Sequence, residues 1–153
     1  MGSEVSSATV AEGAAAVLRP LRQSDVEAVA RWYDQAVVLA GERRSLSDLL
    51  DSSSQVLVLI DGRRQEPVAL ILPTIDDPED GWATVTLLIV SQEERELAAR
   101  AVALLEVTVR LAGKHIRAAV PADVGLALYF WLRLGYRPIA ADGRLWMIRD
   151  LEA

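Results

Sequence analysis

Apolar residues recur with different periods along this chain, and each period predicts a different element. Residues 26–40 carry apolar side chains at three- and four-residue steps, which is typical of a helix with one buried stripe. Ser24 and Glu27 before it have the spacing of a capping box, and Gly41 can adopt the left-handed conformation that ends a helix. The pattern therefore predicts a first helix over residues 26–40 and a shorter second helix over 45–50.

Runs rich in β-branched residues and leucine predict the strands. The early strands are expected over residues 18–22, 55–60, 67–73 and 82–90. Asp61-Gly62 lies between the second and third of these strands and suits a hairpin loop. In the fourth strand Thr84 and Thr86 share one face, while Val85 and Leu87 share the other. This part of the chain therefore predicts an antiparallel meander.

The second half of the chain alternates helices with strands. A long amphipathic helix is expected over residues 93–112, a strand over 115–120, a short apolar helix over 125–134, and a closing hairpin over 136–140 and 144–151. A strand that follows a helix in this way normally runs parallel to the strand before the helix. The predicted fold class is α+β, with a mixed, mostly antiparallel seven-stranded sheet and about four helices.

Length and composition indicate one folded domain. The chain has 153 residues, of which 52% are hydrophobic and 25% charged, which is the balance of a globular protein. We expect a flexible tail over residues 1–17 and a single domain over 18–153. The uncharged runs are shorter than the roughly 20 apolar residues that cross a membrane, so a membrane protein is not expected.

Charge and reactive residue types exclude several classes of function. The chain has no cysteine and one histidine, His115, which excludes thiolate nucleophiles, cysteine-ligated metals and multi-histidine metal sites. We predict no metal cofactor, and the lack of cysteine is compatible with the cytoplasm. A net charge of −6 would repel phosphate backbones, so nucleic acid is not an expected partner.

The order of elements resembles the GNAT N-acetyltransferase superfamily over residues 18–151. The resemblance is strongest in Ala127-Leu128-Tyr129-Phe130-Trp131-Leu132-Arg133-Leu134-Gly135-Tyr136, together with Leu18-Arg19-Pro20-Leu21 near the start. It implies a GNAT-like, acyl-CoA N-acyltransferase fold. It also implies an enzyme that transfers an acyl group, expected to be acetyl from acetyl-CoA, to the amine of a small molecule or peptide.

In that family acyl-CoA lies between two splayed central strands, with its pyrophosphate at the start of the long helix. The resemblance assigns contacts with the pantetheine and acyl carbonyl to the backbone of Leu88, Ile89 and Val90. It assigns the pyrophosphate to the segment from Arg95 through Ala98 and Ala99 to Arg100.

This segment departs from the family pattern in two places. Ala98 stands where glycine is usual, and Arg100 stands where a very small residue is usual. One interpretation is an ordinary charged helix start with Glu96 and Arg100 paired. The other is that Arg95 and Arg100 hold the pyrophosphate with their side chains.

Amine acylation by a thioester needs a proton acceptor for the amine and can use a proton donor for the thiolate. Many family members use a tyrosine as donor at the position that Trp131 occupies here, and an indole cannot deliver that proton near neutral pH. Tyr129 is the candidate substitute, while Asp77 and Glu79 are the candidate bases. Packing for the aromatic residues and a solvated loop for the acidic ones are the alternatives.

Two functions from different classes remain. One is the N-acyltransferase, which we favour, with Trp131 counted among the residues near the acyl-CoA. The other is a GNAT-fold binding or dimerisation module that has lost acyl-CoA binding and catalysis. Trp146 and Met147, on a strand expected to be exposed, would suit a homodimer interface under either hypothesis.

Overall fold

The structure is a computed structural model that describes residues 11–13, 16–52, 55–77, 82–110, 115–121 and 125–151. These residues form nine strands and four α-helices. The strands are β1 (Ala11–Gly13), β2 (Ala16–Pro20), β3 (Val37–Ala40), β4 (Leu57–Asp61), β5 (Glu66–Asp77), β6 (Trp82–Val90), β7 (His115–Val120), β8 (Arg137–Ala141) and β9 (Arg144–Asp150). The helices are α1 (Val26–Tyr33), α2 (Leu46–Ser52), α3 (Ala98–Arg110) and α4 (Gly125–Arg133).

Eight of the strands form one continuous sheet in the order β1-β2-β4-β5-β6-β7-β9-β8, and β3 pairs with β6 off this path. Only β6 and β7 are parallel; every other pair is antiparallel. The predicted α+β class and mixed, mostly antiparallel sheet are confirmed. The count is nine strands rather than seven because β1 and β3 were not predicted.

Two apolar cores cover opposite faces of the sheet. One contains the buried side of α3 and α4, including Val102, Leu105 and Trp131. The other lies under α1 and α2 and includes Tyr33 and Leu49. Because each strand sends alternate side chains to opposite faces, the same strands supply both cores.

The first helix is shorter than its apolar pattern predicted. It ends at Tyr33, and the Val37–Ala40 segment is strand β3. The cause is a turn, in which the amide of Ala36 donates to the carbonyl of Tyr33, followed by a β-branched pair that suits an extended strand. The apolar spacing alone does not distinguish one long helix from a helix followed by a strand, because both arrangements can bury residues at these positions.

The capping hydrogen bonds lie in the 3₁₀ turn that precedes α1 and involve a different residue from those predicted. Asp25, in a short 3₁₀ turn before the helix, accepts a 2.8 Å hydrogen bond from the amide of Arg22. The guanidinium of Arg19 donates two further 2.8 Å bonds to the same carboxylate. The predicted Ser24 and Glu27 box is therefore wrong, because Asp25 already serves as the acceptor at this turn.

The remaining boundaries lie close to the predictions, with three differences. Strand β5 continues four residues beyond its predicted end, through Asp77, which was expected in a loop. The long helix begins as a 3₁₀ segment at Gln92–Leu97 before the α-helix starts at Ala98. The sheet also extends into the predicted tail, since β1 and the first residues of β2 precede residue 18. Residues 1–10 lie outside the described part of the chain.

Tyr136 fixes the turn between α4 and the closing hairpin. Its hydroxyl donates a 2.6 Å hydrogen bond to the carboxylate of Glu106 in α3. Arg149 in β9 donates to the same carboxylate at 3.1 Å. Burial, and then the bond to Glu106, raise the pKa of the Tyr136 hydroxyl. The triad therefore ties α3, the end of α4 and the hairpin together.

Candidate functional site

The central feature of the sheet is the point where β6 and β7 part. They pair from Trp82 with His115 to Val85 with Ala118. Beyond that point the free side of β6 is taken by β3, whose register pairs Val37 with Val90, Val38 with Ile89 and Ala40 with Leu88. The described chain therefore fills its own splayed cleft with a strand.

Two further hydrogen bonds hold β3 in this cleft. The amide of Gly41 donates to the carbonyl of Ala119 in β7 at 2.9 Å. The indole Nε1 of Trp131 in α4 donates to the carbonyl of Leu39 at 2.7 Å. Leu39 and Ala40 are almost completely buried, so β3 is bonded on one side to β6 and on the other to β7 and α4.

Gly41 is required for this close approach. Its φ angle is +75°, in the left-handed region that favours glycine. A Cβ atom at this position would lie 2.1 Å from the carbonyl oxygen of Thr86, which is far inside a van der Waals contact. Any larger residue would therefore push the end of β3 away from β6.

A pocket of about 430 Å³ lies on one side of β3, and we call it the α4 pocket. The start of the long helix lines it with Arg95, Glu96 and Ala99, α4 lines it with Tyr129 and Arg133, and Leu39 contributes from β3. Arg133 stacks over the ring of Tyr129, with 5.7 Å between the guanidinium carbon and the ring centroid. The pocket thus combines exposed aromatic surface with two guanidinium groups.

A second pocket, of about 520 Å³, is lined by residues that follow β3, and we call it the arginine pocket. Its lining includes Gly41, Glu42, Arg43, Arg44, Thr86 and Arg144. Leu39 lines the α4 pocket and Gly41 lines the arginine pocket, although only Ala40 lies between them. Strand β3 therefore stands between the two pockets.

The structure brings some of the predicted acyl-CoA residues together and separates others. Arg95 and Ala99 line the α4 pocket. Arg100 is exposed and is not part of the pocket lining, and Ala98 is completely buried in the core. Among the described residues no ion pair joins Glu96 to Arg100, so the predicted pairing within the helix start is wrong.

The backbone residues expected to contact pantetheine lie in β6 as predicted. Leu88, Ile89 and Val90 are all buried, and their free strand side is paired with β3. Trp131 is also completely buried, and its indole nitrogen donates to the carbonyl of Leu39. These four residues therefore surround β3 rather than an open cleft.

The predicted acid and base candidates are spread along the sheet. Tyr129 is 58% exposed and lines the α4 pocket. Asp77 ends β5, and its backbone pairs with Trp82, which is six residues, or about 20 Å, along β6 from Leu88. The structure therefore does not bring Asp77 to the cleft, because the long β5–β6 pair separates them. Glu79 lies outside the described residues.

Three parts of this site were not predicted from the sequence: strand β3, Arg133, and the arginines of the arginine pocket. The adjacent Val37 and Val38 followed by Gly41 were a usable strand signal, which the helical spacing obscured. Nothing in the sequence alone could have shown which residues line the pockets, since these residues come from elements about 100 positions apart.

No group of three or more histidine, aspartate or glutamate side chains is placed to hold a metal ion in the described part of the chain. None of the helices described is both long enough and apolar enough to span a membrane.

Comparisons by sequence find no match, either to a protein-family model or to a curated protein. Comparisons by structure find many. The GCN5-related N-acetyltransferase from Brucella melitensis has a TM-score of 0.73 and 16% identity, covering 93% of this chain and 78% of that one. A probable GNAT-family acetyltransferase from Chromobacterium violaceum has a TM-score of 0.72 and 15% identity, covering 98% and 94%. The ribosomal-protein-S18-alanine N-acetyltransferase from Escherichia coli has a TM-score of 0.65 and 14% identity, covering 89% and 94%.

At these identities the similarity establishes the fold, and the predicted GNAT-like fold is confirmed. Chemistry does not follow from the fold, because one fold can carry many activities.

Proposed function

We propose that this GNAT-fold chain is an acyl-CoA-dependent N-acyltransferase, with acetyl-CoA as the expected donor and a small-molecule or peptide amine as acceptor. The observation that supports this best is the parting of β6 and β7 after Val85 and Ala118, with one pocket on each side of the gap. A thioester entering from one side and an amine from the other would meet in that gap. Strand β3 has to leave it for this to happen.

Departure of β3 would free the backbone groups of Leu88 to Val90 that now pair with it. Those groups could then pair with the amides of a pantetheine arm, since an extended amide chain can replace a strand. The site would exchange one set of main-chain hydrogen bonds for another. The apparent affinity for acyl-CoA is then the intrinsic affinity multiplied by the fraction of molecules in which β3 has left the cleft.

Arg95 and Arg133 are the residues proposed to hold the pyrophosphate, because both line the α4 pocket. Guanidinium groups bind phosphate through paired, charge-assisted hydrogen bonds. Arg100, which the sequence also suggested, is left out of this proposal because it lies outside the pocket lining. The bound nucleotide tail would rest against Ala99.

The reaction is a direct attack of the amine nitrogen on the thioester carbonyl carbon. A carbon–nitrogen bond forms, the carbon–sulfur bond breaks, the amine loses a proton, and the thiolate leaves and takes up a proton. Tyr129 is the proposed proton donor, because its side chain lines the α4 pocket and carries a hydroxyl group that can donate a proton. The amine is proposed to lose its proton to water, because the candidate base Glu79 follows Asp77 by only two residues, and Asp77 lies away from the cleft.

Thermal unfolding with increasing acetyl-CoA tests the proposal. A ligand that binds only the folded state at a hundredfold excess over its dissociation constant stabilises that state by about 2.7 kcal/mol. We expect a shift for the natural chain, a smaller one for Arg95→Gln, and an unchanged one for the matched control Arg100→Gln. Release of free thiol in the presence of a panel of small and peptide amines then measures transfer.

A second candidate function is a binding or dimerisation module without catalysis. It is favoured by β3 itself, which already satisfies the backbone groups that acyl-CoA would need. Under this hypothesis no acyl-CoA stabilises the chain, even in a variant whose β3 is displaced. That result would contradict the transferase and leave only the fold.

A homodimer is proposed under either function, but not through the residues first suggested. Met147 is completely buried, because β9 pairs with β7 on one side and β8 on the other and turns this side chain into the core. Trp146 is half-buried and lies under Arg117, 4.7 Å from its guanidinium carbon. Edge strand β8, with Ile139 at 47% exposure, is the remaining candidate surface. Sedimentation equilibrium of the natural chain measures the oligomeric state.

A further inference from the structure

The arginine pocket carries a local charge opposite to that of the whole chain. Its lining contains Arg43, Arg44 and Arg144 against a single acid, Glu42, while the chain as a whole has a net charge of −6. A concave site lined by one sign of charge focuses the field and raises the local concentration of the opposite ion. The pocket therefore favours anions on a protein that otherwise repels them.

One wall of this pocket is held rigidly. The guanidinium of Arg43 donates to the carbonyl of Tyr33 at 2.6 Å and also to the carbonyl of Ala36, which places it at the end of α1. The hydroxyl of Tyr33 in turn donates to the carbonyl of Arg44 at 2.7 Å. The backbone that carries Arg44 is therefore fixed before any ligand arrives.

The other two arginines come from separate elements. Arg44 belongs to the connection between β3 and α2, and Arg144 begins β9 after a tight turn in which Gly143 has a φ angle of +75°. Both side chains are exposed, and neither has an ion-pair partner among the described residues. Two guanidinium groups without a carboxylate line the same pocket and can act together on one anion.

We infer that the arginine pocket binds a small molecule through a carboxylate or phosphate group, with Arg44 and Arg144 as the direct contacts and Arg43 as a positioning residue. Guanidinium forks match the planar oxygens of carboxylate and the oxygens of phosphate. The site is complete with β3 in place, so this inference does not depend on acyl transfer or on acyl-CoA binding.

The test is a titration of the full chain followed by two-dimensional amide NMR, with three probes: succinate, inorganic phosphate and the uncharged succinamide. Succinate or phosphate should shift the amides of residues 41–44 and 143–145 in a saturable way, and succinamide should not. Stronger binding of succinate than phosphate would identify carboxylate as the preferred group, and the reverse would identify phosphate.

Single-arginine variants make the test specific. Arg44→Gln and Arg144→Gln should each raise the dissociation constant of the better probe about tenfold, the loss expected for one charge-assisted contact. Arg137→Gln is the matched control, because it removes the same charge from the same hairpin at a residue that does not line the pocket. Its dissociation constant should stay within about twofold of that of the natural chain.

Three results would overturn the inference: no saturable shift with either anion, equal shifts with succinamide, or an equal loss of affinity in Arg137→Gln. Acyl-CoA binding is measured separately, by thermal unfolding, and is assigned to the α4 pocket by the smaller shift expected in Arg95→Gln. Anion binding without any acyl-CoA binding would therefore support this inference while contradicting the transferase, and the opposite result would do the reverse.

Discussion

The indole nitrogen of Trp131 donates a 2.7 Å hydrogen bond to the carbonyl oxygen of Leu39, which lies 92 residues earlier in the chain. Trp131 occupies the position that the family resemblance gives to a proton-donating tyrosine. Here its polar atom contacts the strand that fills the cleft. The substitution that removes the family's acid therefore also supplies a donor that holds β3 in place.

Trp131→Phe should loosen β3 and, because phenylalanine is smaller than tryptophan, leave a small cavity in the core. Phenylalanine keeps an aromatic ring but removes the donor, so the buried carbonyl of Leu39 loses its partner. An unsatisfied buried acceptor costs about 1–3 kcal/mol. We expect the free energy of unfolding by urea to fall by at least that amount, since the cavity adds to it, together with faster amide hydrogen exchange across residues 37–41.

Trp32→Phe is the matched control, since the indole of Trp32 also donates to a backbone carbonyl, that of Pro67, at 2.9 Å. This substitution should lower stability without changing exchange in β3 relative to the rest of the sheet. Equal acceleration of β3 exchange in both variants would show that the Trp131 bond has no special role in the cleft.

Gly41→Ala should displace the end of β3. The new methyl group would meet the carbonyl oxygen of Thr86 at 2.1 Å, and the backbone at φ +75° adds strain of about 1–2 kcal/mol for a non-glycine residue. If β3 competes with acyl-CoA for the cleft, this variant should bind acetyl-CoA more tightly than the natural chain while being less stable without it. Calorimetric titration measures the affinity.

Gly143→Ala is the control that introduces backbone strain without displacing β3. Gly143 has the same φ angle of +75°, but a Cβ there has no heavy atom within 4 Å. This control should lose a similar strain energy and keep the affinity of the natural chain for acetyl-CoA. Tighter binding in Gly143→Ala, or unchanged binding in Gly41→Ala, would contradict the competition between β3 and acyl-CoA.

Most of the fold could be predicted from the sequence, because the local sequence signals agree with the tertiary structure. Strands β6 and β7 match their predicted residues, and the glycine at position 135 follows α4 with a positive φ angle, as its place after an apolar helix predicts. The failures were at Val37–Ala40, where a helical period continued into a strand, and at Met147. At Val37–Ala40 the helical spacing obscured the strand signal of the adjacent valines. The burial of Met147 depends on which strands lie beside β9 in space, and local pattern does not contain that information.

For the candidate site, the sequence could predict only the segment at the start of the long helix. Arg95 and Ala99 could be placed at the start of a long helix from their spacing, and both line the α4 pocket. The exclusion of Arg100 from that pocket depends on the 3₁₀ turn that precedes α3, which changes the side of the helix each residue faces. The filling of the cleft depends on β3, whose partners Leu88 and Ala119 lie about 50 and 80 positions away.

Asp25→Asn should remove a pH-dependent part of the stability. Burial acts to raise the pKa of the Asp25 carboxyl, but hydrogen bonds from Arg19 and from the amide of Arg22 outweigh it, and the pKa is lowered. A lowered folded-state pKa adds stability above the unfolded-state value of about 3.9, and this stability is lost as the pH falls through the folded-state value. At pH 7 the variant should therefore be less stable by about 1.5–3 kcal/mol, the cost of losing charge-assisted bonds.

The difference between the natural chain and Asp25→Asn should shrink as the pH falls below about 3.9, because the carboxyl of the unfolded chain then binds a proton that the folded chain, with its lowered pKa, binds only at lower pH. Asp142→Asn is the matched control: it removes the same charge at an exposed turn whose φ of +54° suits asparagine. Its stability difference should stay within about 0.5 kcal/mol from pH 7 to pH 3. Urea unfolding at several pH values measures both variants. A constant difference for Asp25→Asn across this range would mean that the ion pair with Arg19 contributes no charge-dependent stability, and that Asp25 acts at the helix start through its shape and hydrogen-bonding oxygen alone.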